Sequence, residues 1–221
     1  MPELFAFYSR QFGVHPPSKP ILVLSFWLHH HNTVEPKAKP ESLDDLLANA
    51  EHYAGYAMRN MGRLPPTLFL IGAEGPLMFV PDNLADDNAK DEFATTARLL
   101  CIAHAATAVV MALEAWAKFA KPDENIDPTE PPSEAYDRQE VIVLMGEARD
   151  AQKQKFLPII RSGNGKFFGF GESGAPSVDE MKGRFAQILP PKAVDDKMRL
   201  LVKTVLKAKG IAPAKPGTAR D

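Results

Sequence analysis

One cysteine, two tryptophans and a formal net charge of −2 over 221 residues are the scarcities of this chain. A single cysteine excludes an intramolecular disulfide framework, so nothing points to an oxidising compartment. No apolar run approaches the roughly 18 to 20 residues that cross a bilayer, so no membrane contact is expected. The nucleophile elbow G-x-S-x-G, the zinc motif H-E-x-x-H and the phosphate cradle G-x-x-x-x-G-K-[ST] are all missing, which lowers the weight of an enzymatic reading. There is no internal repeat. A hydrophobic fraction of 45% is too high for a wholly disordered chain, and the length suits one medium domain with tails. These features together lead us to expect a cytoplasmic protein with no cofactor.

Proline, by contrast, is abundant at 20 residues. It fixes φ, lacks an N–H and pushes the preceding residue out of the helical region, so its positions mark where regular elements cannot run. Six prolines fall in residues 1–40 and four between Pro122 and Pro132. The proline-free windows hold the elements. Ser42 with Asp45 forms a capping signal ahead of Leu43, Leu46, Leu47, Ala50, Ala54, Ala57 and Met58, which predicts a helix over 42–61 closed by Gly62. Residues 67–73 and 77–80 are apolar runs joined by Glu74-Gly75-Pro76, a hairpin. Residues 88–120, rich in Ala and Leu without Gly or Pro, predict one long helix, kinked near Thr95 and Thr96 or split. Strands are predicted over 140–146, 156–161 and 166–171, with Pro158 in conflict with a fully paired strand. Ser177 and Glu180 predict a short helix ending before Pro190, and Met198, Leu201, Val202, Val205 and Leu206 predict a last one over 194–209. Ile21 to Leu28 is expected as an edge strand or a docked extension.

The predicted fold class is α+β, an antiparallel sheet of about five strands covered by helices. Three parts are expected: an N-terminal extension over 1–40, poorly structured or docked, one domain over 41–210 and a flexible tail over 211–221. The element order from residue 42, α-β-β-α-β-β-β-α, resembles the roadblock and longin-like domains. That likeness implies two helices on one face of a five-stranded antiparallel sheet. It also implies a dimerising scaffold for partners such as small GTPases, without catalytic residues.

Charge is segregated along the chain. Residues 82–147 carry 14 acids and 5 bases, and residues 148–221 carry 7 acids and 15 bases. Such halves are usually solvated faces, but they can orient a partner.

Several clusters invite chemistry. His29 and His31 would share a face of an extended segment and could bind zinc or nickel, yet no second spaced pair completes a site, and no metal is expected. Gly169, Gly171 and Gly174 match G-x-G-x-x-G, but Pro176 and the late position separate the match from any βαβ unit, so these glycines are expected to end a strand. Lys166, Phe168 and Phe170 resemble part of the aromatic strand of RNA-recognition modules, which implies stacking on single-stranded nucleic acid. Core packing is the stronger reading of those rings. Glu114, set among apolar residues, needs Arg138 or Arg161 as a partner, or would have a raised pKa and could donate a proton. His104 and Cys101 are expected to be core or boundary residues. Glu140 and Glu147 stand an odd number of residues apart and should face opposite sides of one strand.

The first expectation is therefore a non-catalytic protein-interaction or dimerisation domain, pairing with itself or with another protein. It requires an exposed apolar surface on a helix or sheet edge. The alternatives are a small enzyme around Glu114, Arg138 and Arg161, or a nucleic-acid binder through Lys166, Phe168 and Phe170.

Overall fold

Ser42 opens the first helix of the computed structural model as a full capping box. Its hydroxyl accepts the Asp45 N–H at 3.2 Å, and the Asp45 carboxylate accepts the Ser42 N–H at 3.2 Å. Gly62 closes it at φ 70°, a conformation that favours glycine, donating its N–H to the Met58 carbonyl at 3.1 Å. The structure describes residues 8–9, 21–23, 40–81, 84, 86–119, 134–172 and 183–211. In chain order the elements are β1 (Tyr8–Ser9), β2 (Ile21–Val23), α1 (Leu43–Met61), β3 (Thr67–Gly72), β4 (Gly75–Val80), α2 (Asp87–Ala103), β5 (Ala108–Ala117), β6 (Gln139–Ala148), β7 (Gln152–Arg161), β8 (Phe167–Phe170) and α3 (Asp196–Ala208).

The sheet is antiparallel throughout, in the order β2-β4-β3-β5-β6-β7-β8. β1 pairs with β5 at Trp116 and Ala115, beyond the stretch where β3 pairs with Ala108 to Ala112. Within the expected extension, Ile21–Val23 is thus the strand bordering β4, and the rest of Ile21 to Leu28 lies outside the described residues.

Alternation sorts the buried side chains onto two faces. Val109, Met111, Leu113 and Ala115 of β5 join Val141, Val143 and Met145 of β6 beneath α2 and α3. Ala108, Val110 and Ala112 join Ile142 and Leu144 beneath α1. Helices therefore cover both faces, where the roadblock and longin-like likeness implies two on one face. Gly146 lets α1 approach β6, since a Cβ there would stand 3.0 Å from the Leu43 Cδ1.

The predicted helix over 88–120 is two elements. α2 stops at Ala103, His104 to Thr107 reverse the chain, and Ala108 begins the central strand. The turn uses no glycine: Ala105 itself takes φ 48°. It is held from outside. The His104 carbonyl accepts the Ala73 N–H at 2.9 Å, and the Thr107 N–H donates to the Ile71 carbonyl at 2.9 Å. Pairing of β5 with both β3 and β6 outweighs the helical preference of an Ala-rich segment. The short helix expected before Pro190 is absent from 183–190, which carry turns and bends, while residues 177–182 lie outside the described part.

Pro158 sits inside β7 opposite Val141. The two backbone groups of one residue in an antiparallel strand point to the same neighbour. The Pro158 carbonyl accepts the Gly171 N–H at 2.8 Å, just past the end of β8, so the missing N–H lies on that side and no bond to β6 is lost.

Candidate functional site

Of the expected cluster of Glu114, Arg138 and Arg161, Glu114 and Arg161 meet on the α1 face of the sheet. β5 and β6 pair Glu114 with Ile142 and Trp116 with Glu140, which makes the two glutamates diagonal neighbours. Arg161, the last residue of β7, reaches both. Its Nε donates to Glu140 Oε2 at 2.6 Å and its Nη2 to Glu140 Oε1 at 2.9 Å, a bidentate fork. The same Nη2 stands 3.7 Å from Glu114 Oε1. Glu114 is buried, and its other oxygen accepts the Leu64 backbone N–H at 3.1 Å. The hydrogen bonds to Glu140 raise the Arg161 pKa against the pull of burial, with the charges of Glu140 and Glu114 adding to the effect. Arg138 lies over the Trp116 ring at 4.7 Å, a cation–π contact. Chemically the arrangement is a clamp: each named charge is engaged in fixing a strand end, the loop before β3 or an aromatic ring.

A second buried carboxylate does similar work on the opposite face, and the sequence reading assigned it no partner. Glu147 of β6 accepts the N–H groups of Ile188 at 3.2 Å and Leu189 at 2.9 Å. Arg98 of α2 donates to the carbonyls of Arg184, Ala186 and Gln187 at 3.5, 3.3 and 3.4 Å. Together they hold the backbone of 184–189, which lacks ladder bonds of its own, over the core. A glutamate ending an otherwise apolar strand was the available signal. Glu140 and Glu147 do face opposite sides.

Cys101 and His104 are buried beside this layer. Burial pushes the Cys101 thiol well up, and the Glu147 charge adds to it, so the thiol is not activated. Burial pushes His104 below its ordinary value; Glu74 opposes this, and Lys203 and Arg199 reinforce it.

On β8, Lys166 just before the strand is exposed, Phe168 is 79% exposed, and Phe170 is turned toward the α1 core, where its ring meets Phe167 edge-on at 5.0 Å. A bulge opposite Arg161 separates the fates of the two rings. Lys153 and Lys155 of β7 are paired with Asp44 and Glu51 of α1, each at 2.6 Å. His29 and His31 lie outside the described residues. Among the described residues no group of three or more His, Cys, Asp or Glu is placed to hold a metal ion. Nor is any helix there long and apolar enough to cross a membrane.

Among the described helices, α3 leaves the most large apolar residues exposed. Only Val202 and Leu206 of its apolar residues reach the core. Met198, Leu201 and Val205 stay 46%, 58% and 40% exposed, and Leu200 beside them 68%. Lys203 and Lys209 tie the helix to the body through Glu74 at 3.1 Å and Glu92 at 3.0 Å. The contact with Lys203 lowers the Glu74 pKa.

No protein-family model, curated protein or solved structure matches the chain.

Proposed function

We propose that the chain is a non-catalytic protein-interaction domain whose contact surface is the outer side of α3. The observation that carries this reading is the strip Met198, Leu201 and Val205, left in water on a helix that is otherwise well anchored. An amphipathic helix that offers apolar residues beyond the width of its core contact is suited to a partner's groove or helix. The carboxylate and arginine cluster supports the same reading, because Glu140 and Arg161 occupy each other and Glu114 holds the Leu64 N–H. The nucleic-acid alternative has less behind it: β8 offers one exposed ring, and two of the nearby lysines are engaged with α1.

A photo-crosslinking amino acid placed at 201, with one at the exposed loop residue Asn164 as a control, tests this reading in the native host. We expect a discrete light-dependent adduct from position 201 and none from 164. Equal labelling at the two positions overturns the reading.

A further inference from the structure

We infer that His104 is an acid-sensitive latch for α3: when its imidazole takes a proton, the helix leaves the body of the domain while the sheet stays folded. This concerns how α3 is held, and it stands whether or not a partner occupies the outer side of the helix. His104 caps the C-terminal end of α2, the helix on which α3 packs. It is buried, and its carbonyl accepts the Ala73 N–H, which sets it beside Glu74 in the β3–β4 turn. Glu74 in turn holds Lys203 of α3 at 3.1 Å. Among the described residues, the charges that face the imidazole are Glu74 from that turn and Lys203 and Arg199 from α3. The last turn of α2, Leu100 to Ala103, carries none. Arg199 pairs with Asp196 at 2.8 Å, while its Nε is buried without a hydrogen-bond partner.

A neutral imidazole suits this setting. A protonated one adds a third cation beside an acid that Lys203 already shares, and a buried charge carries its own desolvation penalty. Glu74 and the carbonyl end of α2 favour the proton. Burial and then the two cations of α3 outweigh Glu74, so His104 titrates below its ordinary value. α3 is the element whose departure relieves the conflict with least loss. Of its apolar residues only Val202 and Leu206 are buried, and solvent screens its ion pairs with Glu74 and Glu92. No strand pairing depends on it. Departure removes Lys203 and Arg199 and admits water to the imidazole, which then titrates near its ordinary 6.5. The detached form therefore binds a proton that the docked form does not. As the pH falls below 6.5, the population shifts toward detachment.

Amide hydrogen exchange of the full chain, read by mass spectrometry at about pH 7 and about pH 5 and corrected for the intrinsic pH dependence of exchange, tests the latch. Glu74 is held below its ordinary value and stays ionised in that window, so its own titration does not intrude. We expect the protection of α3 to fall severalfold more than that of α1 on acidification, and His104→Gln to abolish the difference. Equal losses in the two helices overturn the inference, and so does an α3 loss of the same size in His104→Gln. Lys203→Met is the second variant, should His104→Gln not fold. Without that lysine, Glu74 is free to balance a protonated His104, so the pH-dependent part of the α3 loss should shrink. An undiminished loss in Lys203→Met overturns the inference as well.

Discussion

Replacing Glu147 should cost more stability than any substitution of an exposed acid in this chain. Its carboxylate accepts two buried N–H groups, from Ile188 and Leu189. Hydrogen bonds to charged groups contribute about 1.5–3 kcal/mol each, and a buried donor left unmet costs about 1–3 kcal/mol. Removing the carboxylate also removes the penalty of burying it, which offsets part of this loss. Glu147→Ala is therefore expected to destabilise by about 3 kcal/mol. Glu147→Gln, which retains one carbonyl oxygen for the two donors, should lose about half as much. The exposed pair partner Glu74 provides the control: Glu74→Gln should change stability by less than about 0.5 kcal/mol, because solvent screens its contact with Lys203. Urea unfolding with linear extrapolation reads all three, and with slopes of about 1–3 kcal/mol/M the alanine variant should move the midpoint by about 1–3 M. A Glu147→Ala midpoint indistinguishable from that of Glu74→Gln would refute the role assigned to this carboxylate.

Other expectations follow from single contacts. A Cβ at Gly72 would stand 2.7 Å from the His104 carbonyl oxygen, a backbone atom held in the α2–β5 turn, so Gly72→Ala should lower stability by about 2 kcal/mol in the same assay. Arg161→Met leaves Glu114 and Glu140 without their shared cation and should cost about 3 kcal/mol, while Arg161→Lys, lacking the planar fork, should recover less than half of it by thermal melts. Burial holds His104 below 6.5 in the folded chain, so between that lowered value and 6.5 the unfolded chain binds the extra proton. Stability should thus rise with pH up to about 6.5 and then level off, and His104→Gln should flatten this slope in melts followed between about pH 5 and 7.

The fold was legible in the sequence where local signals agreed. α1 announces its start through Ser42 and Asp45, its face through leucine and alanine spacing, and its end through Gly62. The β3–β4 hairpin and the existence of β6 to β8 follow from glycine, proline and apolar runs, but β7 begins at Gln152, four residues before the predicted start at 156, because its Gln and Lys residues carry no apolar signal. The boundary between α2 and β5 was not legible, because the turn that makes it contains neither glycine nor proline. Ala105 takes the left-handed conformation, and bonds from Ile71 and Ala73, more than thirty residues away along the chain, hold the turn in place. Alternation in β5 is masked by its small residues, since Ala108, Ala112, Ala115 and Ala117 suit a helix equally well. The site shows the same division. Glu114 could be seen to need a cation, and Arg161 stands 3.7 Å from it. That Glu140 takes most of that cation, and that Glu147 serves the backbone of a distant loop, are consequences of strand register and loop packing. In α3 the five apolar positions were visible from spacing, but their division into two buried and three exposed residues depends on how much of the helix the body covers.

Light-induced crosslinking from position 205 in the native host, in the unaltered background and with Leu201→Glu, tests the central claim most directly. The substitution sits on an exposed position, so folding should be unaffected, as circular dichroism can verify. The account predicts a discrete adduct from the unaltered background that Leu201→Glu weakens severalfold. No adduct from position 205, or one of equal yield in both backgrounds, would contradict it.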